Sequence, residues 1–552
     1  MQSLPVHTMR FVMKQLTLLM LLVMPLTGHS DEMVMPETFT GQIKALATAN
    51  HTEKEQLIAM LAVTEEEQVL AVFKTMLAGL LYVETGSERI VMAEASGDRY
   101  RIIDALDNST LGVVDSDAIK KITVNNKLRG VLKIEIAKLS LLSKKSDIRL
   151  AAVNELISSP SETSVSLLRE MQARENHAEV LTLINLGLAI ADVSAADKSV
   201  RLQAISLLEQ SLMPQAKQAL ESVLVKNSAG VYEEQDLEIV NSARKAVANI
   251  ETWLQINSAA ETVFFGISLG SVLLLSAIGL AITFGVMGVI NMAHGELMML
   301  GAYTTYMIQS MFPQWLDYSL FIAIPAAFIV SGLFGIAIER GVIRFLYGRP
   351  LETLLATFGV SLILQQLVRT TISAQNVIVS APSWMSGSLQ INPALSITYN
   401  RLYIIIFSLI VFGGLLYILK KSVLGLQVRA VSQNRDMARA MGVRSARVDA
   451  LTFGLGSGIA GVAGVALSQL TNVGPNLGQS YIIDSFMVVV FGGVGNLWGT
   501  LVAAMSLGVI NKFLEPVAGA VLAKILVLVF IILFIQKKPR GLFPQKGRSA
   551  EN

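Results

Sequence analysis

The stretch TVFFGISLGSVLLLSAIGLAITFGVMGVINMAHGELMMLGAYTTYMI, residues 262–308, decides how the rest of the chain is read. No charged residue falls between Thr262 and Ala293. A bilayer core takes roughly 20 apolar residues per helix, so the run is too long for one crossing. It is most simply two, with their junction near Gly285 and Gly288. Asn291, His294 and Glu296 then fall inside the second crossing, where a polar group against lipid is strongly disfavoured and an interior position is expected. The spacing predicts a helical membrane bundle with a polar cluster in its interior.

Around this stretch the composition divides. The 552 residues are 52% apolar and 16% charged, but the charge is concentrated in 31–260 and the apolar excess in 262–536. The chain reads as a polar helical part joined to a polytopic part. A formal net charge of +2 implies no nucleic-acid partner. The absence of cysteine excludes disulfides and thiolate metal sites, and five scattered histidines offer no metal-binding spacing. Nothing points to a catalytic residue, a cofactor or an enzyme.

Upstream, Arg10 and Lys14 form a basic region, Leu16–Met24 an apolar one, and Gly28-His29-Ser30 a small-residue site. The apolar run is shorter than a spanning helix, so residues 1–30 read as a secretory signal peptide, with an uncleaved anchor as the alternative. Residues 31–260 are then an exported, mainly helical domain. DIRLAAVNELISS from Asp147 and KSVRLQAISLLEQS from Lys198 match 52 residues apart, Arg149 against Arg201. QAKQALESVL from Gln215 follows with Ala216, Ala219, Leu220, Val223 and Leu224 on one stripe. Two readings stay open, antiparallel helix pairs of the HEAT type stacked as a short solenoid or an irregular helical domain. Ile90–Val114 alternates and turns like a β-ribbon.

Downstream, candidate spans are 262–281, 286–309, 319–338, 353–372, 402–419, 447–469, a short broken pair at 484–494 and 498–511, and 519–536. This gives about eight or nine segments in a membrane domain of 261–544, followed by a tail at 545–552. Arg340, Arg344 and Arg349 crowd one loop. Lys420, Lys421, Arg429, Arg435, Arg439, Arg444 and Arg447 crowd another, and Lys537, Lys538, Arg540, Lys546 and Arg548 fill the C-terminal end. Loop 373–400 has no charged residue, and 310–318 has only Asp317. With an exported N-terminal domain, every basic loop falls on the cytoplasmic side. That parity needs 484–494 to count as a crossing.

Four motifs carry chemistry or packing. Ile290–Glu296, after Phe284-Gly285-Val286-Met287-Gly288, suggests a broken or tightly packed helix lining a polar path. The alternative is helix glue, in which polar groups bond to neighbouring backbone. Phe491-Gly492-Gly493-Val494-Gly495-Asn496 repeats the F-G-x-x-G pattern, as an internally duplicated transporter would. Gly456-Ser457-Gly458-Ile459-Ala460-Gly461 fits a dinucleotide fingerprint but lies mid-span, where helix packing is expected. In GLQVRAVSQNRDMARAMGVRSAR, Asn434 can cap a short helix with an apolar stripe of Met437, Ala438 and Met441, and Gly442 fits the position just past its end. Ringed by arginine, that helix suits a groove on another protein, and the basic loop also suits anionic lipid. No phosphate-cradling G-x-x-x-x-G-K-[ST] occurs, so an ATP-driven mechanism needs a separate ATPase.

INMAHGELMMLGAY, ERGVIRFLYGRPLETLLATFGVSLILQQLVR, GLQVRAVSQNRDMARAMGV and VVVFGGVGNLWGTLVAA resemble, in that order, the LivH-type permeases of branched-chain amino-acid ABC importers. The ERGVIRFLYGRPLETLLATFGVSLILQQ wording and the long N-terminal extension are similar to the UrtB-type urea permeases of that family. The resemblance implies an all-α polytopic ABC permease of a bacterial inner membrane, with a periplasmic N-terminal domain and a cytoplasmic C-terminus. It implies a second, LivM-like permease, two cytoplasmic ATPases and a periplasmic substrate-binding protein as partners. By position it places Asn291, His294, Gly295, Glu296, Thr357, Gly359 and Asn496 near the translocation path. Arg429, Asn434, Arg435, Met437, Arg439, Met441 and Gly442 belong, by the same resemblance, to a coupling helix that docks on the ATPase. The implied cargo is urea. Alternatives are branched-chain amino acids or short amides, a passive urea or amide channel, and an anchored scaffold.

Overall fold

The computed structural model describes residues 38–543, apart from 65–66, 88, 97–98, 106 and 108. The expected signal peptide and the 545–552 tail lie outside the described residues. The chain divides into two compact units, 1–248 and 249–552.

The first unit opens with α1 (Phe39–Thr48), α2 (His51–Leu61) and α3 (Glu67–Ala78). Asn50 starts α2 with a capping box. Its side chain accepts the Thr52 and Glu53 N–H groups, and Glu53 accepts the Asn50 N–H at 2.8 Å. Five strands follow, β1 (Leu81–Glu84), β2 (Ile90–Ser96), β3 (Arg99–Asp104), β4 (Thr110–Val114) and β5 (Ile119–Lys121). They form one antiparallel sheet in the order β4-β3-β2-β1-β5. Alternation along the strands sends Leu81, Ile90 and Met92 toward Phe73, Met76, Leu128 and Leu132 of the helices. Tyr82, Val91, Ala93 and Ile102 form a second cluster. The ribbon expected over 90–114 is therefore three strands, β2 to β4, at one side of a larger sheet. β1 and β5 are too short to show a period of two in the sequence.

Helices α4 (Asn126–Leu141), α5 (Ser146–Ser158), α6 (Glu162–Gln172), α7 (Ala178–Asp192), α8 (Lys198–Leu208), α9 (Pro214–Val223) and α10 (Leu237–Met287) come next. The 52-residue spacing is carried by two helices in each copy, and a further helix follows each pair. α5 and α8 start 52 residues apart, as do α6 and α9. Buried positions keep that register, Ala152 with Ala204, Val153 with Ile205, Leu156 with Leu208 and Leu168 with Leu220. Arg149 pairs with Glu175 through Nε at 2.7 Å and Nη2 at 2.9 Å, and its Nη1 donates to the Ser143 carbonyl. Arg201 pairs with Glu234 and donates to the Val193 carbonyl. Each glutamate sits three residues before a third helix, Glu175 before α7 and Glu234 before α10.

In the second unit α10 ends where Gly288 takes a φ of +67°, a conformation that favours glycine. Then come α11 (His294–Met311), α12 (Ser319–Gly341), α13 (Pro350–Thr371), the hairpin β6 (Ser388–Asn392) and β7 (Leu395–Thr398), and α14 (Tyr399–Lys421). They are followed by α15 (Val423–Gln433), α16 (Arg435–Ala440), α17 (Ser445–Ser468), α18 (Leu477–Gly492), α19 (Leu497–Ala518) and α20 (Ala520–Lys537). Among the described residues, α10, α12, α13, α14, α17, α19 and α20 are long and apolar enough to cross a membrane. α11 and α18 complete an all-α polytopic bundle. Two expected spans are corrected. The second begins at His294 and not at 286, because 288–293 is non-helical. The segment expected at 484–494 begins at Leu477, and its break falls at Gly493 and Gly495, both at positive φ.

α17 is enclosed on nearly every side. Its small residues allow backbone-to-backbone approach, which in a membrane supplies the contact that lipid cannot. A Cβ on Gly301 of α11 would lie 2.0 Å from the Gly461 carbonyl oxygen, and one on Gly464 would lie 1.9 Å from that of Met298. The run that fits a dinucleotide fingerprint is thus a continuous, tightly packed helix.

Candidate functional site

The non-helical residues 288–293 turn the chain back between α10 and α11. His294, the first residue of α11, lies beside Ser276, well back from the C-terminal end of α10. Backbone released from a helix must find partners where water is excluded. Thr357 of α13 supplies one, its hydroxyl oxygen accepting the Met292 N–H at 3.1 Å while the hydroxyl donates to Thr353 O at 2.9 Å. Asn291 supplies another, its Oδ1 accepting the Ala293 N–H at 3.0 Å.

Asn291, His294, Glu296 and Thr357 are all buried. The His294 Nε2 lies 2.8 Å from the Ser276 carbonyl oxygen. A carbonyl only accepts, so Nε2 carries the proton, and in the neutral ring Nδ1 is then an acceptor. Glu296 Oε1 accepts from Ser361 at 3.0 Å and from Gln365 at 2.7 Å. Within this cluster Asn291 Nδ2, His294 Nδ1 and Glu296 Oε2 have no hydrogen-bond partner. One donor and two acceptors therefore remain available around a single helix break, where buried polar groups are normally satisfied.

Asn496 does not join them. It N-caps α19, its Oδ1 accepting the Trp498 and Gly499 N–H groups, and its Nδ2 donates to Phe543 O at 3.2 Å. Its hydrogen-bonding capacity is largely used in closing local backbone. It borders a cleft of about 550 Å³ that Gly285, Lys420, Arg429 and Trp498 also line. The two F-G-x-x-G motifs do meet, because a Cβ on Gly285 would lie 2.5 Å from Gly495 Cα. Gly295 packs on the Gly478 backbone, and Gly359 has open space.

Sequence reasoning missed Ser361 and Gln365. The signal was present, since Thr353, Thr357, Ser361 and Gln365 recur every fourth residue along a largely apolar helix and share one face. It also missed Asp484 of α18, whose Oδ2 lies 3.2 Å from Lys524 Nζ of α20.

The second predicted group lies on α15 and α16. Asn434 caps α16 by accepting the Met437 N–H at 2.9 Å, and Gly442 follows at φ +88°. The stripe expected from Met437, Ala438 and Met441 is split. Ala438 is buried with Val428, Val431 and Val448, whereas Met437 and Met441 are 63% and 81% exposed. The expected ring of arginines is also partly turned inward. Arg435 pairs with Asp449 of α17 and lies over the Tyr347 ring, 4.4 Å from its centroid. Burial pushes the Tyr347 phenol above its ordinary pKa, so it stays protonated. The Arg439 Nε donates to Ser445 Oγ at 2.8 Å, and Arg429 donates to the Leu419 carbonyl.

Comparison with known proteins places residues 262–535 under the family model described as branched-chain amino acid transport system / permease component. The high-affinity branched-chain amino acid transport system permease protein LivH of Salmonella typhimurium is 30% identical over 51% of this chain and 94% of its own length. The corresponding BraD protein of Pseudomonas aeruginosa is 29% identical over 50% and 93%. A ribose import permease protein, RbsC of Haemophilus influenzae, is 29% identical over 19% of this chain and 35% of its own. No solved structure matches.

Proposed function

The chain belongs to the family of branched-chain amino acid transport system permease components, and from that premise we propose that it forms the solute path of an ATP-driven importer. Members of the family are multi-pass inner-membrane transport subunits, not enzymes. The observation that carries the path is the trio of unpartnered atoms on Asn291, His294 and Glu296 beside the break between α10 and α11. The path runs along α11 and the Thr353–Gln365 face of α13, with Asn496 at the cleft near the start of α19.

The proposed cargo is urea or a similarly small amide. A neutral polar solute needs alternating donors and acceptors, which the trio offers, and the trio holds no cation to meet a carboxylate. A second reading, import of branched-chain amino acids, is favoured by the names of the relatives. In either case the N-terminal unit lies outside and the basic loops inside, following the bias of Lys and Arg in short loops. α16 with Met437 and Met441 docks on one of two cytoplasmic ATPases, the neighbouring arginines contact anionic lipid, and a LivM-like permease and an external binding protein complete the assembly. Residues 31–260 serve as an exported domain.

The test is uptake of labelled urea and labelled leucine at low substrate concentration in cells with and without the gene. Loss of urea uptake alone supports the amide reading, and loss of leucine uptake alone moves the chain to the amino-acid branch. Uptake that survives loss of the ATPase overturns the importer in favour of a passive channel.

A further inference from the structure

We infer that the Arg435–Asp449 ion pair is the rigid link by which movement of α16 is passed into the bundle, with Arg435 and Asp449 acting as positioning residues. This rests on the reading of α16 as the segment that meets the ATPase. α16 has six residues, and a helix that short does not hold itself in water. Its place is set by contacts to α17. Arg435 pairs with Asp449, Arg439 donates to Ser445, and Ala438 packs against Val448. Arg435 also stacks on Tyr347, which lies in the connection between α12 and α13.

Asp449 is fully buried, unlike the partners of most surface ion pairs. Exposed pairs contribute little, whereas removing one partner of a buried pair leaves an uncompensated charge. Separating the pair is therefore costly. Beyond it, α17 has no slack. The contacts of Gly461 with Gly301 and of Gly464 with Met298 tie it to α11, and α11 carries His294 and Glu296. Packed side chains, ion pairs and rigid elements of this kind are what carry energetic coupling between distant sites. Met437 and Met441 remain outside as the docking side chains, so docking and transmission are divided between the two faces of one short helix.

The test uses the full chain, co-expressed with its ATPase and second permease and reconstituted in proteoliposomes. Asp449→Asn, nearly isosteric, is expected to retain ATPase co-purification and ATP hydrolysis while the solute moved per ATP falls about tenfold, within the usual range of coupling between sites. Asp449→Glu, which keeps the carboxylate, is expected to retain coupling. Asp449→Ser, neutral and smaller at the same position, gives the same reading should Asp449→Asn not accumulate. An unchanged ratio of solute to ATP in either neutral variant overturns the inference. So does loss of the ATPase from these complexes, because the pair would then be a docking determinant. Failure of the wild-type chain to co-purify any ATPase would sink the underlying reading instead.

Discussion

Thr357 and Met292 are joined by a hydrogen bond of 3.1 Å from the Met292 N–H to the threonine hydroxyl, across the gap between α13 and the break that precedes α11. The bond makes the non-helical segment tolerable at a depth where water cannot serve it. Thr357→Val keeps the shape and removes the acceptor. The buried N–H left behind costs about 1–3 kcal/mol. We expect a lower midpoint in detergent unfolding and reduced uptake for Thr357→Val, with Thr357→Ser close to wild type. Equal unfolding midpoints for Thr357→Val and wild type would show that the break finds its partners elsewhere.

In the first unit the Arg149 guanidinium holds the Glu175 carboxyl down to about 2, from an ordinary 4.5. Because the folded-state value is depressed, the pair's stabilisation is fully present above the unfolded value. It is lost as pH falls from about 4.5 toward 2. Unfolding of the N-terminal unit followed by hydrogen exchange between pH 5 and pH 3 should show this loss. Glu175→Gln should flatten the dependence and lower stability at pH 5 while leaving pH 3 less affected.

Met437 and Met441 leave their side chains exposed, whereas Asn434 only starts α16. Met437→Glu with Met441→Glu is expected to reduce ATPase co-purification at least tenfold, about 1.4 kcal/mol, without changing accumulation of the chain. Asn434→Ala removes the cap, worth about 1 kcal/mol, and should give a smaller loss. Co-purification that survives the double glutamate variant places the docking surface elsewhere.

The contact of α11 with α17 leaves no room for a side chain at Gly301, whose Cβ would lie 2.0 Å from the Gly461 oxygen. Gly301→Val should destabilise the bundle by about 3 kcal/mol or more and lower its yield in membranes. Gly359→Val, at a glycine with open space around it, is the control and should accumulate normally.

Much of the fold was legible because membrane helices announce themselves by length and polarity. The charge-free run from Thr262 to Ala293 demanded two segments, and the break falls at Gly288, where the glycines pointed. Asn434 and Gly442 marked the ends of α16 because caps are local. What failed was tertiary. Arg435 reads as one more surface cation until Asp449 is placed beside it, and no spacing in the sequence links the two. Asn291 and Asn496 follow the same local motif, yet one keeps a free amide and the other closes helix backbone, since their partners come from distant segments. The stripe from Thr353 to Gln365 was readable, but its apolar neighbours masked it. β1 and β5 carry too few residues to reveal a strand period.

The most direct measurement exploits the absence of cysteine from the chain. A single cysteine replacing Asn291 is reacted with a small, membrane-permeant thiol reagent in proteoliposomes that also hold the partner subunits, with and without ATP turnover. A cysteine at the buried Ala463 serves as the silent control. If the solute path passes the break between α10 and α11, labelling at 291 rises during turnover and is slowed by transported solute, while 463 stays unlabelled. If 291 stays unlabelled in every state while the variant still transports, the path lies elsewhere and the polar cluster is helix glue.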